Sequence, residues 1–299
     1  MKKNFAIIGV GGYIAPRHLQ AIKDTGNNLI AALDKNDSVG ILDKYFYDVD
    51  FFTEFERFDR HIEKLLLAGN KIDYVTICSP NYLHDAHIRF ALRIGADAIC
   101  EKPLVLNPWN LDALQQIEKQ TGKKIYCILQ LRCHPALIEL KKKIETSNKK
   151  NKYDINLKYI TSRGKWYQFS WKGNLEKSGG LTTNIGIHFF DILIWIFGDV
   201  KKQEVCYSDE KKSEGYIELE NANVKWCLSI DKNDLPENCG KPTFRSLKID
   251  GEEIEFSEGF TELHTTVYKE IMNGKGFGIE ECRKSIELAY LIRNSKKNI

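Results

Sequence analysis

The chain has 299 residues, a length that suits two domains, and its 42% hydrophobic and 28% charged content is that of an ordinary globular protein. The formal net charge is only +3, and the basic runs at 141–143 and 149–152 contain no aromatic residue, so no nucleic-acid partner is expected. The eight cysteines form no Cys-x-x-Cys pair, which argues against a bound metal or redox chemistry and for a reduced, cytoplasmic protein.

Two apolar segments imitate export or membrane signals. The N-terminal one is broken by Gly9, Gly11 and Gly12, and no small-residue cleavage site follows it. The other, at 185–197, carries two polar side chains and is too short to span a bilayer. We therefore expect neither secretion nor membrane insertion.

Up to about residue 130, short apolar runs alternate with amphipathic patterns. Strands are expected at 5–8, 29–33, 74–78, 98–100 and 125–129, and helices at 16–25, 39–45, 55–68, 84–94 and 108–121. Strands that are apolar along their whole length suit a parallel sheet covered by helices on both faces. The pattern therefore predicts an α/β fold that begins with a doubly wound Rossmann domain for dinucleotide binding.

A glycine-rich segment at 9–15 joins the first strand to the first helix. Gly9 permits a tight turn, and Gly11 lets the backbone approach a pyrophosphate at the helix N-terminus. Ile14 replaces the third glycine of the usual fingerprint, so the match is partial. Asp34 ends the second strand, where its carboxylate can accept hydrogen bonds from the adenosine ribose and repel a 2′-phosphate. These residues predict NAD binding; the alternative for Asp34 is a plain turn cap.

Two further turns directly follow strands in this half, Ser79-Pro80-Asn81 and Glu101-Lys102-Pro103. Ligands of doubly wound sheets bind beyond the carboxyl ends of the strands, so both turns are expected to line the site. The amine of Lys102 can orient and polarise a substrate hydroxyl, while the proline stiffens the turn. Asn81 can contact the cofactor, cap the following helix, or do both.

The second half reads differently. After a helix at 135–146, alternating strands are expected at 154–162, 202–208, 215–220, 223–230, 246–249 and 252–256, with a hairpin turn at 250–251. An apolar helix at 185–197 and a final helix at 279–294 accompany them. This order predicts an α+β domain with a large, mainly antiparallel sheet. We assign 1–124 to the NAD-binding domain and 125–299 to a substrate-binding and oligomerisation domain.

The apolar helix has a polar face. Asn184, His188 and Asp191 recur at spacings of four and three residues, which places them on one side of a helix. His188 can accept a hydroxyl proton at neutral pH, and Asp191 can fix its tautomer or the adjoining geometry. A buried core histidine is the alternative interpretation.

Two other polar clusters are candidates for substrate contact. The segment at 163–173 combines three basic residues with four aromatic ones, a mixture that suits phosphate or carboxylate oxygens and the face of a sugar or base. Gln130, Arg132 and His134 form a similar cluster directly after the strand expected at 125–129. An aromatic-rich antiparallel sheet would produce both segments for packing reasons alone.

Over essentially its whole length the chain resembles the Gfo/Idh/MocA family of nicotinamide-dependent sugar oxidoreductases. It has three motifs of that family in the same order: the glycine turn, the Glu-Lys-Pro tripeptide and the glycine–histidine–aspartate helix. Longer strings at 12–18, 51–61, 78–87, 99–110 and 170–173 are similar to the UDP-N-acetylglucosaminuronate 3-dehydrogenases. The resemblance implies NAD-dependent oxidation of the C3 hydroxyl of UDP-2-acetamido-2-deoxy-D-glucuronate to a 3-keto sugar, in the biosynthesis of lipopolysaccharide and O-antigen sugars.

The same resemblance implies residue roles. Lys102 and His188 form the catalytic pair, with His188 as base and Lys102 polarising the hydroxyl, or with these roles exchanged. Asn184 stands where many relatives have aspartate, and we assign it a positioning role. The expected cofactor contacts are Gly9, Gly11, Gly12, Tyr13, Ile14, Asp34, Ser79, Pro80, Asn81, His84, Glu101, Lys102 and Gln130. The expected substrate contacts are Arg132, Arg163, Tyr167, Trp171, Lys172, Asn184 and His188.

The resemblance also implies a homotetramer and a role for 2-oxoglutarate as an acceptor that recycles NADH, with release of NADH as the alternative. Two other functions stay open at this point. One is a dehydrogenase of a different sugar or of inositol. The other is a non-catalytic NAD- or sugar-sensing regulator, against which the retention of Lys102 and His188 argues, because a sensor needs no proton acceptor.

Overall fold

The computed structural model describes residues 2–237, 239–254 and 262–295. These residues form two compact units. The first unit contains residues 2–105, 109–130 and 262–282, and the second contains residues 106–108, 131–237, 239–254 and 283–295. The expectation of a Rossmann-like parallel sheet followed by a mostly antiparallel one is confirmed.

The first unit is built on a six-stranded parallel sheet in the order β3-β2-β1-β4-β5-β6. Its strands are β1 (Asn4–Ile8), β2 (Asn28–Leu33), β3 (Asp50–Phe52), β4 (Tyr74–Ile77), β5 (Asp97–Cys100) and β6 (Ile125–Cys127). The chain order reverses between β1 and β4, so their carboxyl ends form the switch point where such sheets bind ligands. The inner strands are almost wholly buried, which explains their continuous apolar sequences.

Helices flank these strands in sequence. They are α1 (Ala15–Asp24), α2 (Phe55–Leu67), α3 (His84–Arg93), α4 (Pro108–Thr121) and α5 (Pro135–Glu145). The sequence analysis did not identify β3, a three-residue strand that is exposed or partly exposed along its length. The helix expected at 39–45 is a shorter 3-10 turn, Gly40–Lys44, which is followed by Tyr45 with φ −117°.

The second unit contains the other six-stranded sheet, in the order β12-β11-β7-β10-β9-β8. Its strands are β7 (Tyr153–Thr161), β8 (Val200–Ser208), β9 (Lys212–Leu219), β10 (Ala222–Ser229), β11 (Thr243–Ile249) and β12 (Glu252–Glu253). All described neighbours are antiparallel except β7 and β10, which run parallel with Leu157 opposite Trp226. The strand expected at 252–256 ends in residues 255 and 256, which lie outside the described part of the chain.

The remaining helices are α6 (Trp166–Phe169), α7 (Leu175–Ser178), α8 (Ile187–Phe197), α9 (Leu263–Met272) and α10 (Ile279–Asn294). A π turn, Thr182–Gly186, leads directly into α8. The α8 helix packs on the second sheet, where the ring of Phe190 meets the edge of Trp226 at 5.5 Å between centroids. The final helix has the predicted bounds, whereas the sequence analysis did not identify α9.

The segment Leu175–Phe197 is long and apolar enough to cross a membrane by length and composition, with a mean hydropathy of 1.4. However, 72% of its most apolar window is buried inside the protein. Gly179 and Gly180 both adopt positive φ, at 79° and 75°, and interrupt the helix after α7. The apolar part of this segment is a core helix of the second unit.

The predicted domain boundary at 124/125 differs from the two units in three places, of which the smallest is residues 106–108, which belong to the second unit. Strand β6 belongs to the first sheet, because it pairs with β5 in parallel, Ala98 opposite Ile125. Residues 262–282 also belong to the first unit, since Tyr268 of α9 is hydrogen-bonded to Thr76 of β4. The chain thus returns to its first unit after completing most of the second sheet.

Candidate active site

The glycine turn after β1 is shaped by close backbone contacts. Gly9 has φ +87°, and its amide donates to the carbonyl of Leu33 at 2.7 Å. A Cβ at this position would lie 2.7 Å from the carbonyl carbon of Cys78, so only glycine fits between β2 and β4. The amide of Gly12 closes the turn onto the carbonyl of Gly9 at 3.1 Å.

Asp34 lies against this turn. Its Oδ2 accepts the amide of Gly11 at 2.9 Å, and its Oδ1 accepts the amide of Asn36 at 2.9 Å. Ile14 follows as the N-cap of α1, and its side chain cannot satisfy the first amides of that helix. Tyr13 is 93% exposed beside it. A glycine cradle, a bare helix N-terminus and an acidic strand end are the features that hold an NAD pyrophosphate and ribose, so these residues fit NAD.

The turn after β4 is fixed by two buried histidines. The Nδ1 of His87 lies 2.8 Å from Ser79 Oγ. The two ring nitrogens of His84 lie 2.8 Å from the carbonyl oxygen of Ser79 and 2.7 Å from that of Pro103. Burial lowers the pKa of His84, and a neutral imidazole donates from one nitrogen only, so one of these carbonyls accepts its hydrogen bond. His84 therefore lies between the β4 turn and the β5 turn, in contact with the backbone of both. Asn81 is buried at the start of a 3-10 turn that leads into α3, whose N-cap position is Leu83.

The Glu-Lys-Pro tripeptide follows β5, with a cis peptide between Lys102 and Pro103. Lys102 is partly exposed, whereas Glu101, Pro103 and Leu104 are buried. Gln130 begins a 3-10 turn shortly after β6, and its buried Oε1 has no hydrogen-bond partner among the described residues. All the predicted cofactor residues thus follow strand ends of the first sheet.

In the second unit, the π turn and α8 expose two polar side chains. Asn184 and His188 are partly exposed, whereas every other residue from 182 to 194 is buried. The side-chain amide of Asn184 donates to the hydroxyl of Tyr167 at 2.8 Å. This hydrogen bond joins two of the predicted substrate residues. The expected polar face of the helix is therefore present at these two positions.

Asp191, the third member of that spacing, is engaged elsewhere. Its two carboxylate oxygens accept from Nε and Nη2 of Arg132 at 2.9 and 2.7 Å, and both side chains are nearly buried. Burial raises the pKa of Asp191, opposed by the hydrogen bonds from Arg132 and Ser285. Of the two roles proposed for Asp191, the structure fits the fixing of adjoining geometry. Arg132 is held by this ion pair, so its positive charge is already compensated.

The basic and aromatic segment forms a second cluster in this unit. Lys172 Nζ lies over the rings of Trp166 and Trp171, at 5.5 and 5.1 Å from their centroids. Burial, and then the positive charge of Arg163, lower the pKa of Lys172. Burial raises the pKa of Tyr167, against the opposing effects of Asn184 and Arg163. Arg163, Lys172 and Tyr167 therefore share one electrostatic environment, which is positively charged.

The sequence analysis missed one buried polar cluster in the first unit. His18, Glu101 and His264 place one nitrogen or carboxylate oxygen each within 4.8 Å of one another, a ligand set that a divalent metal can use. The same atoms are joined by hydrogen bonds of 2.9 and 3.1 Å. His18 follows the glycine turn and Glu101 precedes the lysine, but nothing in the sequence near position 264 indicates this contact.

Comparison with known proteins identifies relatives of both units. The NAD-binding Rossmann fold of the Gfo/Idh/MocA oxidoreductase family matches residues 3–128, and the family's C-terminal alpha/beta domain matches residues 141–237. The WlbA (WbpB) dehydrogenase from Thermus thermophilus, solved in complex with NAD and alpha-ketoglutarate, is 49% identical, with a TM-score of 0.95 over 99% of this chain and 96% of that chain. A second structure of it, in complex with NAD and UDP-GlcNAcA, is 48% identical with the same TM-score and coverage.

Curated relatives are more distant and match over part of their length. The putative oxidoreductase YteT of Bacillus subtilis is 24% identical over 59% of this chain and 39% of its own. The D-glucoside 3-dehydrogenase of Escherichia coli is 25% identical over 54% of this chain and 52% of its own. The matches thus span about half of these two relatives or less.

Proposed function

Because the chain belongs to the Gfo/Idh/MocA oxidoreductase family, we propose that it oxidises the C3 hydroxyl of UDP-2-acetamido-2-deoxy-D-glucuronate to a ketone with NAD. The observation that carries this proposal is the 48% identity, over nearly the full chain, to a dehydrogenase bound to NAD and UDP-GlcNAcA. The polar groups at the strand ends of the first unit and on α8 of the second fit the same reaction.

We assign the proton transfer to His188 and Lys102. Oxidation of an alcohol removes a hydride from the carbon and a proton from the oxygen, and bound NAD supplies the hydride acceptor. His188 is partly exposed on a buried helix and accepts the hydroxyl proton, while the Lys102 ammonium orients and polarises the oxygen. The exchanged assignment, with Lys102 as base, requires the lysine to be neutral before the step. Asn184, held by Tyr167, orients the sugar by hydrogen bonding without adding charge.

We assign recognition of the charged part of the substrate to the cluster around Lys172. A uronate and a pyrophosphate present several anionic oxygens, which pair with guanidinium and ammonium groups. Arg163 and Lys172 supply these cations, and Trp171 supplies a ring face for the sugar or uracil. Tyr167 is only 4% exposed, so its part is to hold Asn184 through its hydroxyl. Arg132 contributes by anchoring α8 through Asp191.

For the cofactor, the proposed contacts are the glycine turn (Gly9, Gly11, Gly12), Tyr13, Ile14 and Asp34, then Ser79, Pro80 and Asn81, and finally Lys102 and Gln130. Glu101 is buried, and we place it at this site through the backbone of its turn. His84 acts on the site through its contacts with the backbone carbonyls of Ser79 and Pro103. We also propose that 2-oxoglutarate takes the hydride back, with a proton, to give 2-hydroxyglutarate. The support is that the Thermus relative was solved with NAD and alpha-ketoglutarate.

The wider setting follows the same proposal. We propose a cytoplasmic homotetramer that works in the biosynthesis of lipopolysaccharide and O-antigen sugars. The outer face of the second sheet is the proposed contact surface between copies. It carries alternating charged and aromatic side chains, among them Tyr216 (49% exposed) on β9 and Lys225 on the neighbouring β10.

The direct test is incubation of the purified protein with NAD and UDP-2-acetamido-2-deoxy-D-glucuronate, with and without 2-oxoglutarate. NADH absorbance and loss of the nucleotide sugar by chromatography are the readouts. Lys102→Met and His188→Gln should each lower turnover by at least about 100-fold, the usual worth of a general acid or base, with NAD affinity retained in calorimetry. Lys124→Met and His61→Gln, at a strand start and on α2, are matched controls that should keep full activity.

Each result distinguishes between the proposed function and its alternatives. No consumption of the nucleotide sugar by the wild type, with NAD still bound, contradicts the substrate assignment and favours another sugar or a sensor. Full turnover in either active-site variant contradicts the assigned residue. Accumulation of NADH that 2-oxoglutarate does not diminish contradicts recycling.

A further inference from the structure

Five polar side chains are buried together in the first unit. They are His18 on α1, Thr76 on β4, Glu101 after β5, and His264 and Tyr268 on α9; we call them the Glu101 cluster. His18, Thr76 and Tyr268 have no exposed surface, and Glu101 is 7% exposed. A buried carboxylate strongly destabilises a protein unless hydrogen bonds compensate it. The hydride chemistry alone does not explain why these polar side chains are buried together.

The hydrogen bonds of the cluster converge on the carboxylate. Glu101 Oε1 accepts from Nε2 of His18 at 2.9 Å and from Nε2 of His264 at 3.1 Å. A carboxylate only accepts, so each ring carries its proton on Nε2, and Nδ1 of His18 must accept from the Tyr268 hydroxyl at 2.8 Å. The Tyr268 oxygen in turn accepts from Thr76 Oγ1 at 2.8 Å. Every bond in this chain orients the next toward Glu101.

The charge state of the cluster follows from the same contacts. Burial alone would raise the pKa of Glu101, but hydrogen bonds from His18 and His264 hold it well below its usual range. Burial lowers the pKa of His18, so that ring donates as a neutral imidazole. Glu101 is thus an anion held by fixed donors within the cofactor-binding unit.

The second oxygen of the carboxylate connects the cluster to the lysine. Glu101 Oε2 accepts the backbone amide of Lys102 at 3.3 Å. On the other side of the lysine, the carbonyl of Pro103 lies 2.7 Å from Nδ1 of the buried His84. Lys102 is therefore the partly exposed residue between two buried neighbours, each in contact with a buried polar side chain.

We propose that Glu101 is a positioning residue for Lys102, through which α1, β4 and α9 fix the backbone that aims the lysine amine. This inference rests on the proposed role of Lys102 in proton transfer. It explains why the acidic residue of the tripeptide is buried while the basic one is not. It also gives the second-to-last helix, α9, a function in catalysis although it supplies no group to the reaction.

The first test needs no substrate. In Glu101→Gln, the amide side chain keeps one acceptor oxygen and loses the charge, so the Lys102 amide should exchange with solvent deuterium at least about tenfold faster. Asp73→Asn is the matched control, because Asp73 also accepts a backbone amide, that of Asn4 at 3.0 Å, beside the starts of the strands. This control should leave exchange over residues 99–105 unchanged. Unchanged exchange at Lys102 in Glu101→Gln overturns the proposal whatever the substrate is.

The second test separates positioning from folding. In Glu101→Gln, kcat should fall by about 10- to 100-fold, as for a small misplacement of a reacting group, while the calorimetric Kd for NAD changes less than about threefold. Tyr268→Phe removes the hydrogen bonds of the hydroxyl with His18 and Thr76 but leaves both bonds to Glu101 Oε1 in place, so it should lower kcat by a smaller factor. It serves in place of Glu101→Gln if that variant does not fold.

Three outcomes contradict the proposal. Parallel losses of kcat and NAD affinity mean that the cluster only holds the domain together. Full kcat in both variants means that Lys102 needs no such support. Stoichiometric metal in the purified wild-type protein, measured by mass spectrometry, means that His18, Glu101 and His264 are ligands rather than hydrogen-bond partners. Failure of the wild type to turn over the nucleotide sugar bears on the proposed function alone, since the exchange test stands without it.

Discussion

The ion pair between Arg132 and Asp191 allows a direct test of what stabilises the second unit. Asp191→Asn keeps the shape of the side chain and one acceptor oxygen but leaves the guanidinium of Arg132 without its counter-charge. Both partners are nearly buried, at 9% and 3% side-chain exposure, and both oxygens of the carboxylate are used. The variant therefore isolates the cost of an uncompensated buried cation.

The expected magnitude follows from that burial. At roughly 4 Å between charge centres, the Coulomb attraction is about 4 kcal/mol at an effective dielectric constant of about 20. Removing one partner of a buried pair usually lowers the free energy of unfolding by about 3–5 kcal/mol. We expect about 3 kcal/mol for Asp191→Asn, because the amide oxygen still accepts one hydrogen bond. For a unit of this size, that corresponds to a melting temperature lower by about 6–12 °C.

The assay is urea unfolding at pH 7, followed by far-UV circular dichroism and by tryptophan fluorescence. The two probes must agree before a single free energy is quoted, since the chain has two units. Arg132→Met combined with Asp191→Leu removes both charges and should destabilise the protein less than Asp191→Asn alone. Glu220→Gln breaks an exposed pair with Lys201 on the same sheet and should have little effect.

A loss below about 1 kcal/mol in Asp191→Asn would refute the reasoning, because it would place the pair in the range of surface salt bridges. Additive losses in the double variant would refute it as well, since two residues that interact directly cannot contribute independently. Either result would return Arg132 to the position that the sequence analysis gave it, a cation available for the substrate.

Two further predictions concern ligand recognition. Lys172→Met keeps the aliphatic stem over Trp171 and should raise KM for the nucleotide sugar about 10-fold, the worth of a charge-assisted hydrogen bond, with KM for NAD unchanged. Lys177→Met on α7 is the control. An unchanged KM for the nucleotide sugar in Lys172→Met contradicts the assignment. Asp34→Asn removes the charge that repels a 2′-phosphate and should raise the NADP-to-NAD ratio of kcat/KM at least about 10-fold, whereas the control Asp37→Asn should not change this ratio. An unchanged ratio in Asp34→Asn would show that Asp34 acts only as a turn cap, through its hydrogen bonds with Gly11 and Asn36.

How much of this site could be predicted depends on how far apart its residues lie in sequence. Gly11 and Asp34 are joined by one βαβ unit, whose connection length is nearly fixed, so a spacing of 23 residues predicts their contact. The turns after β4 and β5 are predictable for the same reason, because parallel strands bring their carboxyl ends to one edge. Such contacts follow from the order of strands and helices in the sequence and from the handedness of the βαβ connection.

The Glu101 cluster is beyond such reasoning. Glu101 is 83 residues from His18 and 163 residues from His264. The contact with His264 depends on the return of the chain from the second unit to the first at α9, which no periodicity in residues 262–282 indicates. A histidine on the buried face of a helix is also ordinary in a core. The pairing can be recognised only once the helix is known to pack beside α1, where His264 meets His18 edge-on.

The helix that carries His188 shows a different limit. An α-helical spacing predicted that Asn184, His188 and Asp191 share one face, yet the chain forms a π turn through Asn184 and α-helix from residue 187. Side chains four residues apart share a face of an ordinary α-helix as well, and both Asn184 and His188 are partly exposed. Asp191, three residues further, is buried and paired with Arg132. The periodicity identified the polar residues, but what each one does depends on its tertiary partner, Tyr167 for Asn184 and Arg132 for Asp191, and these partners are not encoded in the spacing along the helix.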